Sequence, residues 1–533
     1  MENVKKGKDD LVFIKRALIS VSDKDRLDQL VTELHGLGVE LIASGGTSSF
    51  IQSLGIPVTP LREVTGNPEA FGGRMKSLSF QVSSSLLFRR NNPDDWQEAA
   101  SLGIRPIDFV VCNLYPFEKV TKAESSEDKL IENIDIGGPT MIRAAAKNYQ
   151  GVGVCTGPEQ YDEVLATLRE NKGGLPFEQR KKWALEAFRH TAYYDGMIAG
   201  ELEERWGDEV KTISLSPRMA RGLRYGENPH QKAWVYSHPT KEGLASKKPL
   251  QGKQLSYNNL LDADAAWKSA SDLLKLSKES FKSAVSIIKH SNPCGNALAK
   301  TPLEALKLAW AGDPVSSFGS IICFSDEVEE DVASWLGKKF IEVIVAPSFT
   351  KEALHLFSKK KNLRLIDFGP QKKESPEYCI RDLSGGWLVQ TQDRGIDRDF
   401  KKVTKRELPS EMRELAQFGI LATKHLKSNA IGLVHKGQDG LALAGGGMGN
   451  PNRLISLKEA LEKAKENGYE DFSKMILISD AFFPFSDNIE LAHDYGVQYI
   501  VQPGGSLRDN EVIKACDDRG MAMVMTGRRH FRH

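Results

Sequence analysis

Residues 287–295 read IIKHSNPCG, an apolar run that delivers Lys289 and His290 side by side into a polar Ser-Asn-Pro-Cys-Gly turn. An imidazole titrates near neutral pH, so a histidine projected from a strand end can take a proton during reaction, with the adjacent ammonium tuning it. A structural histidine capping a turn carries the same local pattern, and the rest of the chain must decide. Lys427-Ser428-Asn429-Ala430 follows a helical stretch, and the Gly-rich 445–453 ends in a cation, Arg453. Arg224-Tyr225-Gly226-Glu227-Asn228 is an irregular polar run suited to holding a phosphate or stacking on a planar ring. Asp480 begins an aromatic segment with Phe482, Phe483 and Phe485; such a wall is more commonly plain core.

A second set of groups lies in the first third. Ser44-Gly45-Gly46-Thr47 follows one apolar run and opens a helical one, which supplies backbone N–H groups, hydroxyls and a helix N-terminus to an anion. The same run could simply make a tight turn. Ser22-Asp23-Lys24 at the parallel position, with Arg74, Lys76 and Ser77, adds hydroxyls and cations that favour a phosphorylated small molecule. Residues 135–148, DIGGPTMIRAAAKN, start a helix at Gly-Gly-Pro and put Arg143 and Lys147 one turn apart. They read either as an exposed basic pair or, because three alanines admit close packing, as a route that brings Lys147 into a site.

The elements that must position these groups follow from periodicity. Strands at 17–21 and 39–43 each run through a Ser-containing turn into a helix, which implies a parallel α/β sheet with its ligand edge at the strands' carboxyl ends. A third strand at 108–111 and a long charged helix at 178–206 follow. Strands at 285–288, 320–324, 343–346, 475–478 and 498–501 alternate with helices, so the second half is α/β as well. No short repeat period is visible. Residues 205–220 lack a clear period and form the expected boundary, giving domains 1–205 and 215–533.

The totals exclude several classes. A chain of 533 residues is too long for one core. With 72 basic and 71 acidic residues, it carries no charge excess for nucleic acid to exploit. Six cysteines without a CxxC pair suggest neither a disulfide framework nor a thiolate zinc site. The polar N-terminus lacks a signal-peptide core and no stretch reaches the ~20 apolar residues of a membrane span, which points to the cytoplasm and to no membrane partner.

SVSDK, SGGT, GGRMK, CNLYPF, DIGG with RAAAKN, LRYGENPHQ, KHSNPCG, SSFG, KSNA, SDAFFPF, QPGGS and the terminal RHFRH occur in one order. In that order the chain resembles the bifunctional purine biosynthesis family that joins phosphoribosylaminoimidazolecarboxamide (AICAR) formyltransferase to IMP cyclohydrolase. The resemblance implies a methylglyoxal-synthase-like N-terminal domain and a larger transformylase region of two cytidine-deaminase-like subdomains. It implies that 10-formyltetrahydrofolate formylates AICAR, that formyl-AICAR then closes to IMP, and that the protein is a homodimer. By the same likeness His290 is the base, with Lys289 and Asn429 beside the transferring group. Arg224, Tyr225, Gly319, Glu342, Arg453 and Arg529 match nucleotide-contacting positions; Leu454, Phe482, Asp487, Ser506 and Leu507 match positions facing the folate. In the cyclohydrolase, Ser22, Asp23, Lys24, Ser44, Gly45, Gly46, Thr47, Arg74, Lys76, Ser77, Cys112, Asn113 and Ile136 would hold substrate. Lys147, Tyr115 and Asp135 would manage protons.

Three departures stand out. Residues 76–80 read KSLSF where the family pattern is Lys-Thr-Leu-His-Pro, Asn450 replaces Gln, and Ser486 replaces Arg. A zinc deaminase is the rival chemistry, but its HxE and PCxxC signatures are missing, so no metal is expected. A monofunctional transferase with a nucleotide-sensing N-terminal domain is the other alternative.

Overall fold

Arg16–Val21 is buried at nearly every position because its sheet is covered on both faces, and such a strand does not alternate in burial. In the computed structural model this strand (β1) is central to a five-stranded parallel sheet with Glu40–Ala43 (β2), Thr59–Pro60 (β3), Phe109–Asn113 (β4) and Gly153–Cys155 (β5), in the order β3-β2-β1-β4-β5. Helix α1 (Leu27–Gly36) buries Leu27, Leu30, Val31 and Leu34, the i, i+3, i+4, i+7 stripe that faces a core. Each such fully buried aliphatic side chain contributes about 1.5–3 kcal/mol. Helices α2 (Gly45–Ser53), α3 (Gly137–Lys147) and α4 (Phe177–Trp206) complete the layers. The structure describes residues 10–123, 125–207, 213–214, 216–238, 243–369, 378–395 and 399–533. The polar stretch 1–9 and part of the expected boundary, 208–212 and 215, lie outside the described residues.

The chain divides into one unit of Met1–Arg218 with His238–Lys241 and another of Met219–Ser237 with Glu242–His533. The second unit is built on an eleven-stranded mixed sheet. Its first series runs α5 (Tyr257–Leu274), β6 (Ser283–Lys289), β7 (Asn292–Ala299), α6 (Pro302–Ala311), β8 (Ser320–Phe324), α7 (Glu330–Trp335), β9 (Ile341–Ala346), α8 (Lys351–Ser358) and β10 (Arg364–Asp367). Its second runs α9 (Arg413–Lys424), β11 (Ile431–Lys436), β12 (Gly440–Gly447), α10 (Arg453–Glu466), β13 (Ile476–Ser479), α11 (Asp487–Asp494), β14 (Tyr499–Gln502), α12 (Asp509–Asp518) and β15 (Ala522–Met525).

The two series have the same element order. Strand order is β10-β9-β8-β6-β7-β12-β11-β13-β14-β15, with Lys401–Lys402 at the far edge, so the halves meet back to back at β7 and β12. Each half is an antiparallel hairpin followed by three parallel strands. Each series runs over a hundred residues, Tyr257–Asp367 and Arg413–Met525, which is why no short period is visible in the sequence. Among the described residues no helix is long and apolar enough to cross a membrane.

Candidate active sites

In the first unit the β1–α1 and β2–α2 turns open onto one cleft of about 470 Å³. Ser22, Lys24, Ser44, Gly45, Gly46, Thr47, Arg74, Lys76, Ser77, Asn113, Tyr115, Asp135 and Ile136 line it. Gly45 takes φ 48°, a left-handed conformation that suits glycine, and a Cβ there would stand 3.8 Å from Lys76 Nζ. A Cβ on Gly46 would stand 3.9 Å from Lys24 Nζ, so two ammonium groups converge on the N-terminus of α2. That combination of helix N–H groups and cations is an anion site. Facing it, Arg74 pairs with Glu132 at 2.5 Å and Lys76 with Glu69 at 3.6 Å.

Asp135 lines the same cleft, just before the start of α3. Burial pushes its carboxyl above the ordinary value, opposed by the N–H groups of Gly138 and Tyr115. Ser77 packs against the same helix start, since a Cβ on Gly137 would meet Ser77 Oγ at 2.3 Å. Tyr194, absent from the sequence reading, accepts the Asp135 N–H at 2.9 Å from α4. It sits 59 residues away and reads as helix core, so no local signal exposes it. The altered 77–80 segment has a local logic: Ser79 caps the helix Phe80–Leu87 by accepting the N–H of Val82 at 3.1 Å.

Three residues expected at this site, Lys147, Cys112 and Asp23, do not line the cleft in the single chain. Lys147 is exposed and does not line the cleft. The cleft adjoins the N-terminal end of α3, and ten residues at 1.5 Å rise carry Lys147 about 15 Å away. The alanine run packs α3 inward, with Ala144, Ala145 and Ala146 buried, but leaves the lysine outside. Cys112 is also off the cleft, buried with its Sγ 3.9 Å from Gly138 O, because alternate residues of β4 face opposite sides. Asp23 does not line it either. Asn113 Oδ1 instead accepts the N–H groups of Ser22 and Asp23, at 2.7 and 2.9 Å, and so shapes the turn. The buried Thr47 hydroxyl is engaged with the backbone of Val21.

In the second unit the candidate residues share one edge of the large sheet. Strand polarity puts the amino ends of β9 and β8, the carboxyl end of β6, the amino end of β7, the carboxyl end of β12, the amino end of β11 and the carboxyl ends of β13, β14 and β15 together. Glu342, Gly319, Lys289, His290, Asn429, Arg453, Phe482, Ser506 and Arg529 are all at or next to these ends. The turn expected over Ser-Asn-Pro-Cys-Gly is shorter than that: His290 and Ser291 alone make it, and Asn292 already begins β7. Lys289 Nζ donates to Phe318 O at 2.8 Å, beside Gly319. His290 is exposed in the single chain. Arg224 lies over Tyr225, 5.2 Å from the ring centroid, and this run is pinned to the start of α5 by Tyr257 N donating to Tyr225 O.

The other group of residues is tied to β11 and β13. Arg453 is buried, and its Nη2 donates to Asn429 Oδ1 at 2.8 Å and to Asp480 Oδ1 at 2.7 Å. Asn450, the substitution for Gln, accepts the Asn429 side-chain amide on its backbone carbonyl at 2.8 Å while its own side-chain amide donates to Glu459. Glu342 is engaged too, by Arg364 Nη1 at 2.6 Å. Leu454 and Phe482 are half-buried; Asp487 accepts from Asn488, Ser506 accepts the Arg508 N–H at 3.1 Å, and Leu507 is fully exposed. Arg529 lies over Phe531, 4.7 Å from the ring centroid. Among the described residues no group of three His, Cys, Asp or Glu side chains could hold a metal.

Residues 145–463 match the AICARFT/IMPCHase bienzyme family model, and residues 26–140 match the MGS-like domain. The chain belongs to the AICARFT/IMPCHase bienzyme family. It is 44% identical to the bifunctional purine biosynthesis protein PurH of Persephonella marina, covering 97% of this chain and 100% of that protein. It is 42% identical to PurH of Aquifex aeolicus over the same shares. The solved structure of ForH aligns at 34% identity, covering 36% of this chain and 99% of its own, with a TM-score of 0.32. The bienzyme's N-terminal MGS-like domain is the unit with the parallel sheet. Full-length coverage by bifunctional relatives makes the chain an AICAR formyltransferase and IMP cyclohydrolase and disfavours the monofunctional alternative. A formyltransferase of this kind uses a folate-type formyl donor.

Proposed function

We propose that the donor is 10-formyltetrahydrofolate and that the sheet edge bearing His290 and Asn429 receives it together with AICAR. The arylamine lone pair of AICAR is delocalised and nucleophilically weak, so proton removal must accompany attack. His290 takes the amine proton as nitrogen bonds to the formyl carbon. Lys289 steadies the charge on the formyl oxygen; its ammonium has three protons, of which one is held by Phe318 O among the described residues. The bond from the formyl carbon to folate N10 then breaks, and N10 takes up a proton. Asn429 orients the transferring group, fixed by Arg453 and Asn450. Arg224, Tyr225, Gly319, Glu342 and Arg529 serve the nucleotide, and Leu454, Phe482, Asp487, Ser506 and Leu507 the folate.

In the first unit the anion site at α2 holds the 5′-phosphate of formyl-AICAR. The carboxamide nitrogen attacks the formyl carbon within one molecule, and water leaves. Proximity supplies most of the acceleration. Asp135, with Tyr115 and Ser77 nearby, moves the protons, and Lys76 takes the part that likeness alone gives to Lys147. The convergence of Lys24, Lys76 and the α2 N-terminus in one cleft with a carboxyl raised by burial is the observation that supports this assignment.

The transferase edge supports a homodimer. From β9, which carries Glu342, to β15, next to Arg529, there are eight strand steps, about 38 Å at the usual strand spacing. One AICAR cannot bridge that span, so each site combines the β9–β8–β6 group of one chain with the β11–β15 group of a second. The enzyme works in the cytoplasm, without nucleic acid or membrane. His290→Ala is expected to lower formyl transfer by about 10²–10⁴-fold while ring closure of supplied formyl-AICAR, followed by IMP absorbance, is unchanged. Retained transfer refutes the role of His290.

A further inference from the structure

Resting on the reading of His290 as the transferase base, we propose that Asp262 is the positioning residue that holds its imidazole in working geometry. His290 and Ser291 are the central pair of a two-residue hairpin between Lys289 and Asn292, with φ of 52° and 62°. A turn with both centres left-handed is ordinarily made by Asn-Gly or Gly-Gly, since an L side chain is disfavoured there. Neither residue here is glycine. Backbone conformations of this kind persist only where the surroundings hold them.

Asp262 supplies the hold. Its Oδ2 accepts the His290 N–H at 3.2 Å, and its Oδ1 accepts the Ser291 N–H at 2.7 Å and the Ser291 hydroxyl at 3.3 Å. One carboxylate thus receives both N–H groups of the turn. It is carried by α5, which buries Ala263, Ala266 and Ala270, small residues that let the helix approach the sheet closely. The acceptor is therefore anchored to the core while the turn it grips is exposed. Asp262 contacts the backbone of His290 and sets where the ring stands; it takes no proton in the transfer. Releasing the turn lets φ at His290 return to negative values, which swings Cβ and the imidazole away.

The test uses the full chain with Asp262→Ala, Asp262→Asn, and each combined with Ser291→Gly. For Asp262→Ala we expect kcat for formyl transfer to fall about 30-fold, within what an ångström-scale displacement costs, with KM for AICAR changed less than about threefold. Ring closure of formyl-AICAR stays at the parent rate. Glycine adopts the left-handed turn freely, so adding Ser291→Gly should recover about tenfold of the lost kcat. Unchanged kcat in Asp262→Ala, or a loss that glycine does not relieve, overturns the inference. If Asp262→Ala does not accumulate as folded protein, Asp262→Asn with and without Ser291→Gly makes the same comparison. His290→Ala runs in parallel: full transfer there overturns the reading of His290 itself, whereas an inactive His290→Ala beside an unaffected Asp262→Ala sinks only the positioning role.

Discussion

Asn292 Oδ1 accepts the backbone N–H of Lys427 at 3.1 Å, so a single side chain joins the hairpin of His290 to the loop of Asn429. The Asn292 amide also donates to His290 O at 3.1 Å. The strands that carry these segments, β6 and β11, are three steps apart in the sheet. Removing both bonds with Asn292→Ala is expected to lower kcat for formyl transfer about tenfold, the scale of one or two lost hydrogen bonds. Asn292→Asp, which keeps the acceptor, should fall in between. Steady-state transfer assays check this, and an unaltered kcat in Asn292→Ala rejects the coupling.

Much of this architecture is legible in the sequence where burial is two-sided. The apolar runs predicted as strands at 17–21 and 320–324 are Arg16–Val21 and Ser320–Phe324 in the structure. The cleft groups Ser22, Lys24 and Ser44–Thr47 follow strand ends and were readable for that reason. Asp262 was not, because an acidic residue on a half-exposed helix face 28 positions before His290 looks like ordinary solvation. Which of Cys112 and Asn113 lines the cleft was not legible either, since a one-residue step along β4 turns a side chain to the other face. Where Lys147 stands relative to the cleft was not legible, since helical spacing reports a face and says nothing about which end of the helix meets the cleft.

The displacement of Lys147 yields a discriminating pair. Lys76 lines the cleft and Lys147 does not. Lys76→Ala should reduce ring closure of formyl-AICAR by about 10²-fold, the scale of one lost electrostatic group at a reacting centre. Lys147→Ala should stay within about twofold, as for a surface change far from the chemistry. Kinetics following IMP absorbance separates them; a large loss in Lys147→Ala with Lys76→Ala active reverses the assignment.

A site assembled from two chains can be rebuilt from two inactive ones. His290→Ala disables one side of the transferase edge and Asn429→Ala the other. If each site takes His290 from one protomer and Asn429 from its partner, a mixed dimer has one site with both substitutions and one with neither. Equal, freely exchanging mixtures should regain about a quarter of parental formyl transfer, given random pairing into two-fold dimers. Activity that stays at the level of the separate variants, in a mixture shown to exchange subunits, places both residues in sites built by one chain.

His435 gives the second unit an acid-sensitive point away from the chemistry. Its Nε2 lies 2.8 Å from Tyr469 Oη, and burial lowers its pKa to about 4. A histidine with a depressed native pKa binds more protons when unfolded, so stability is complete above the unfolded value near 6.5 and is lost as pH falls toward 4. The full shift corresponds to about 3 kcal/mol, an order-of-magnitude figure. His435→Gln retains a hydrogen-bonding group without titrating in this range. Denaturant midpoints from pH 7.5 to 4.5 should therefore decline less steeply for His435→Gln than for the parent, and parallel curves would show that His435 does not govern the acid limb.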